Sequence, residues 1–311
     1  MSKKISRLFS GMLIILMLTL LFVFPAKSSE SIMFSCTRCV TSLLPSLFPM
    51  MVLSRQLAGY ISLKDSRFSH ILSKLSGFSQ NLLPTFFISL LCGYPIPAII
   101  TKDMYDSGRI NKRQAVAAIN LCNSASPAFL IFFVGRFVLG SMAKGILLFV
   151  CQSLAVIFIA HMTAPKENFT GKFSSEKEKI SDSVSKSTQN LVGLFGFVIF
   201  FSLAGDLLNS LFDFFQIGNA IKTVVSGCFE ITSGIASCKD YPEIIKTVLV
   251  CFLSCFGGLS VYFQLASVTK GTELVTPQYF VCRLFVFVFT LFFYSLATFL
   301  LNSLYIGKAA W

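Results

Sequence analysis

Charge is scarce in this chain: Asp, Glu, Lys and Arg make up 13% of 311 residues, against 54% hydrophobic ones. A soluble globule carries roughly a quarter of its residues as charges to cover its surface, so a soluble domain is excluded. The class is an all-α polytopic membrane protein. Tryptophan occurs once, at Trp311, and histidine twice, whereas phenylalanine occurs 35 times. Phe leaves no donor to satisfy, which suits helices facing lipid and one another. Acidic residues are also few, 14 against 26 Lys and Arg, giving a net charge of +12. The basic residues sit in short loops between apolar runs, where the positive-inside bias puts them, so this charge reads as topology and not as a nucleic-acid partner. Most of the ten Cys lie inside apolar stretches and behave as small hydrophobes, with no disulfide framework implied.

Several chemistries lack their residues. No phosphate-cradling loop and no Ser-His-Asp or Cys-His constellation is visible, so no residue is assigned a catalytic role and no cofactor is expected. Cys36 and Cys39 have zinc-ligand spacing, but no second Cys or His pair follows nearby, and no metal site is assigned.

What is present is a series of apolar runs with interruptions. Lys3, Lys4 and Arg7 precede the run Leu8 to Phe24, about 26 Å of helix. Cleavage after Ala26 would place Phe24 where a small residue is required, so residues 1–38 read as an uncleaved N-terminal anchor and an outer loop. Residues 39–139 read as a first repeat. It begins with a span, Cys39 to Ile61, bent by Pro45 and Pro49. A segment from Leu82 to Ile100 follows, flanked by two basic loops, one holding Lys64, Arg67 and Lys74 and the other Lys102, Arg109, Lys112 and Arg113. A crossing would put one of these loops outside, so the segment is expected to be a re-entrant hairpin turning at Gly93-Tyr94-Pro95-Ile96-Pro97. Ala115 to Leu139 then spans outward with a break at Asn123-Ser124-Ala125-Ser126-Pro127. Residues 140–190 hold a returning helix, Met142 to Met162, and a cytoplasmic linker, Ala164 to Gln189. In residues 191–266 the order recurs: a span from Leu191 to Leu211, a broken segment from Gly218 to Cys238, and a broken span from Ile244 to Ala266. The second copy enters from the opposite side, an inverted repeat. Residues 267–311 hold the final span, Tyr279 to Leu304.

Unpaired backbone in hydrocarbon costs several kcal/mol per group, so interruptions persist only where they are buried in protein or line a watery cavity. Four of them meeting near the midplane would make one polar chamber. The expected substrate-binding residues are Gly93, Tyr94 and Pro95 at the first tip, and Asn120, Asn123, Ser124 and Ser126 at the first break. Glu230, Thr232 and Ser233 join them from the second tip, with Gly257, Gly258, Ser260 and Gln264 at the second break. Glycines allow close backbone approach, though Gly257-Gly258 alone is more often a packing device. Glu230 is the one carboxylate at a break. A charge at the bilayer centre costs roughly 2.5 to 3.5 kcal/mol on insertion scales, which points to a functional group or a cationic partner. Asp206 and Arg55 lie nearer span ends and read as anchoring or pairing groups.

These residues resemble a family. Leu43-Leu44-Pro45-Ser46-Leu47-Phe48-Pro49, the Gly93-Tyr94-Pro95 turn, Asn123-Ser124-Ala125-Ser126-Pro127 followed by Val134-Gly135, Phe229-Glu230-Ile231-Thr232-Ser233-Gly234, and Phe256-Gly257-Gly258-Leu259-Ser260-Val261 with Gln264 are similar to motifs of bacterial sporulation integral membrane proteins carrying a nucleoside-recognition, or Gate, domain. The resemblance covers about residues 40 to 290. It implies spore formation in a Gram-positive bacterium, a multi-pass location in the cell membrane of forespore or mother cell, and a distant likeness to concentrative nucleoside transporters. One departure is that Ile96-Pro97 follow the Gly-Tyr-Pro turn where the family has a small polar pair, which makes this tip less polar. The function expected is a transporter or gate for a small polar solute, nucleoside-like or other, driven by a coupling ion or gradient since no ATPase motif occurs. The alternative is a non-transporting scaffold in the spore envelope or cortex, although a scaffold has no need of four polar interruptions. The bilayer is the certain partner on this reading; a solute, an ion, a second copy of the chain and other sporulation membrane proteins are the further ones.

Overall fold

The computed structural model describes residues 3–60, 67–167 and 179–308. Lys64, Ile61, Trp311 and the middle of the expected linker, 168–178, lie outside the described residues. The described residues are almost wholly helical and contain no strand. Four helical segments are long and apolar enough to cross a membrane: Met142–Thr163, Ile180–Phe214, Glu243–Val268 and Gln278–Ser303.

The amino-terminal third departs from the sequence reading. Helix α1 (Lys3–Val23) is followed at Phe24 by a sharp bend, and the paired segments Ile14–Val23 and Pro25–Thr41 meet at 103°. Pro25 restarts the helix, since its fixed φ suits a first helical position and its missing N–H is not needed there. Helix α2 (Pro25–Arg38), a π-helical turn (Cys39–Leu43) and α3 (Leu44–Tyr60) then run on without interruption. The expected outer loop is therefore helix. Its low hydropathy comes from Ser28, Ser31 and Ser35, which are small enough to be buried against the long helix α9 (Ile180–Phe214). The linker is corrected in the same way. Residues from Ile180 onward already belong to α9, where Ser183 and Ser187 are buried and Ser183 accepts a 2.7 Å hydrogen bond from Gln56.

The two hairpins and two broken helices appear as expected. Helix α4 (Arg67–Ser76) leads to α5 (Leu83–Leu91), which ends at Cys92; after the tip, α6 (Ile96–Asp106) returns against α5. Pro84 and Pro97 occupy first-turn positions of these arms, where a missing donor costs nothing. Both flanking loops gather at one end of the molecule. Asn81 donates to the Arg109 carbonyl at 3.4 Å, His161 Nε2 lies 3.0 Å from the Lys74 carbonyl, and Lys166 donates to the Gly77 carbonyl. Helix α7 (Lys112–Cys122) opens with a reciprocal cap between Asn111 and Gln114, stops at Asn123, and resumes as a π-helical segment, Phe129–Val138, packed on α8 (Met142–Thr163). In the second half, α10 (Asn219–Phe229) and the short α11 (Ile231–Ala236) form a hairpin, and α12 (Glu243–Phe256) passes into α13 (Gly258–Val268). Helix α14 (Gln278–Lys308) packs on α7, α8 and α12. Two cores hold these elements. One joins Ile96, Ile119, Cys255, Val261 and Tyr279; the other joins Ala125, Leu130, Ile231, Val250 and Tyr294. Each draws on both halves of the chain.

Candidate functional site

Each hairpin tip is seated against a break. At the first, the Tyr94 N–H donates to the Ser124 carbonyl at 3.0 Å, and a Cβ on Gly93 would lie 2.5 Å from the Ser126 amide nitrogen. Only a hydrogen fits there. The Tyr94–Pro95 peptide at this tip is cis. At the second, Gly257 and Gly258 take φ values of +79° and +78°, and a Cβ on Gly258 would meet the carbonyls of Gly227, Cys228 and Phe229 at 2.9 to 3.3 Å. The glycine pair turns the helix and lets it lie on the end of α10.

The polar groups expected to form a single chamber gather in two foci. The first surrounds Arg283, one turn into α14 and 1% exposed. Its guanidinium donates to the Asn123 carbonyl at 2.8 Å, to the Leu121 carbonyl at 3.2 Å, to the Asn120 carbonyl, and to Ser124 Oγ at 3.4 Å. Those carbonyls are the orphan acceptors left where α7 stops, and a cation suits the negative end of the helix dipole. Among the described residues no carboxylate pairs with Arg283. Asn123 donates its amide to the Ile119 carbonyl at 2.9 Å, and Ser126 Oγ accepts from the Phe129 N–H at 3.1 Å, capping the resumed helix. Four buried atoms around this break have no hydrogen-bond partner in the protein: Asn120 Oδ1, Asn123 Oδ1, Arg283 Nε and the Tyr279 hydroxyl. Ser124 also borders a small cavity of about 10 Å³ with Ser89, Gln152 and Ser153, the size of a single water.

The second focus is Glu230, 2% exposed. Its carboxylate caps α11, accepting from the Thr232 and Ser233 amides at 3.0 and 2.9 Å and from their hydroxyls at 2.8 and 3.0 Å. Arg38 on α2 completes the set, 3.3 Å from both the carboxylate and Ser233 Oγ. Ser31, two turns before Arg38 on α2, donates to Asp206 at 2.5 Å. Ser260 and Gln264 are buried but bond to each other, one turn apart on α13, at 3.0 Å. No described hydrogen bond joins the two foci. Tyr94 stands between them: it packs against both cores and lies within electrostatic range of Glu230 and of Arg283.

Arg38, Tyr279 and Arg283 escaped the sequence reading. Arg283 carried a usable signal, an ionisable residue inside the apolar run Tyr279 to Leu304, the same signal that marks Glu230. Arg38 carried none, because its segment is too polar to read as a membrane helix. Arg55 pairs with Asp103 at 2.8 Å, the pairing role expected of it. Among the described residues no group of three His, Cys, Asp or Glu side chains could hold a metal.

The chain is similar to sporulation integral membrane protein YlbJ of Bacillus subtilis (strain 168), with 25% identity over 288 residues, covering 77% of this chain and 70% of the relative. This likeness supports a place among sporulation integral membrane proteins and, with the apolar helices, a multi-pass membrane location. No family profile matches the chain, and the likeness does not extend to a nucleoside-recognition domain. No solved structure matches it.

Proposed function

We propose that this sporulation-associated membrane protein is a transporter or gate for a small polar solute, nucleoside-like by the resemblance, and that its two halves are related by inversion. The observation that carries the reading is the cluster of unpartnered buried atoms at the first break. Two acceptors, Asn120 Oδ1 and Asn123 Oδ1, and two donors, Arg283 Nε and the Tyr279 hydroxyl, are held among apolar helices where lipid offers no substitute partner. Each such group costs about 1–3 kcal/mol if left unmet. A passing solute or the water that accompanies it would meet them, and a rigid scaffold would gain by replacing them with apolar residues. Free energy for net movement would come from a coupled ion or a gradient. We assign no catalytic step.

A second reading, the non-transporting scaffold, is favoured by one fact. The Glu230 carboxylate is fully engaged by Arg38, Thr232 and Ser233, as a structural lock would be. The test is spore yield and heat resistance of Asn123→Ala and Glu230→Gln strains at matched membrane abundance. Transport predicts a loss in Asn123→Ala, whose side chain makes one local bond; tolerance of both substitutions returns the scaffold to first place.

A further inference from the structure

A cavity of about 400 Å³ opens between α7, α8 and α14, near the end where α8 finishes. It runs along one face of α7 from Arg113 to Asn120, a length of about 10 Å over two helical turns. Arg113 is exposed at the mouth, and among the described residues no carboxylate pairs with it; the neighbouring Glu273 is taken by Lys112 at 3.2 Å. The walls are apolar, with Val116, Ile159 and Phe285. The floor is polar again. Asn120 is 9% exposed and its Oδ1 has no partner in the protein, and beside it Cys282 donates from Sγ to the Asn120 carbonyl at 3.3 Å.

A cation at one end, an unmet acceptor at the other and hydrocarbon between them specify a ligand class. We propose that this cavity binds an anionic, partly apolar solute whose acidic group meets Arg113 and whose hydroxyl or amine, about 10 Å away, donates to Asn120 Oδ1. A lipid acyl chain would fill the walls but has nothing to donate at the floor. The proposal rests on the solute reading above and sharpens it: the floor residue Asn120 is also the residue whose carbonyl Arg283 holds at the first break.

Cys282 reports on the cavity without a designed label. With the full chain in detergent, its modification is followed by peptide mass spectrometry using two thiol reagents of similar size, the anionic sulfonatoethyl and the cationic trimethylammonioethyl methanethiosulfonate. The anionic reagent is expected to react about fivefold faster at low salt, the bias that one charge at this range sustains. Arg113→Glu, a change at an exposed position, should reverse the order. Para-hydroxyphenylpropionate should then protect Cys282 at about fivefold lower concentration than phenylpropionate, the worth of one added hydrogen bond, and Asn120→Ala should erase that difference. Cys282 inert to both reagents, a ratio unmoved by Arg113→Glu, or equal protection by the two acids would each overturn the proposal. Because these readouts are chemical, they fail independently of the spore phenotype of Asn123→Ala.

Discussion

The Arg38 guanidinium lies 3.3 Å from the Glu230 carboxylate, tying the helix after the Phe24 bend to the tip of the second hairpin, 192 residues away in sequence. Neither partner is free to leave alone. Withdrawing one charge strands the other in a low-dielectric site, which costs more than the intact pair contributes.

Arg38→Gln should therefore lower stability by about 2 kcal/mol, less than the roughly 3–5 of a fully enclosed pair because Arg38 keeps some exposure. Combining it with Glu230→Gln should cost less than the sum of the two single changes. Thermal unfolding of the four proteins in detergent gives the cycle; strict additivity would show that the two groups do not interact.

Glycine substitutions should rank by the space each site leaves. Gly234→Ala, whose Cβ would lie 2.1 Å from the Gly227 Cα, should be the most damaging. Gly258→Ala follows, with about 1–2 kcal/mol for the left-handed conformation plus a carbonyl clash. Gly193→Ala on α9, with open space around it, should be neutral or slightly stabilising. Unfolding midpoints check the order.

Arg283→Lys keeps the charge but not the fork that spans the carbonyls of Asn120, Leu121 and Asn123. The unfolding midpoint should drop by several degrees, and Arg283→Gln should drop it further, since an amide brings neither the charge nor the reach. An unchanged midpoint in Arg283→Lys would mean that a point charge suffices.

Single cysteines at Lys74 and Arg109 should label from the same face of the membrane, because both loops meet at the end where α8 finishes. Labelling from opposite faces would make Leu83–Asp106 a crossing and not a hairpin.

The hairpins and breaks were legible because Gly, Pro and Asn stand out inside apolar runs, and each appears in the structure where a helix stops: at Cys92, at Asn123, at Glu230 and at Gly257. The helical stretch from Pro25 to Arg38 was not legible, because burial by small serines against α9 looks, in sequence, like a polar loop. Nor was the division of the polar residues into two foci. Composition can place a serine or glutamate at a break, but which partner satisfies it depends on remote residues, Arg38 for Glu230 and Arg283 for Asn123. Tyr94, between them, was selected for its backbone turn and matters as well for its position.

The main-chain bond from Tyr94 to Ser124 and the contact of Gly93 with Ser126 fasten the first tip to the first break, and Arg283 clamps that break to α14. Mechanically these three pieces form one strut with no slack in it. Any rearrangement that opened a route through the protein would have to carry the strut whole, and its compliance would have to come from the joints at its ends, such as the left-handed turns at Gly108 and Gly140.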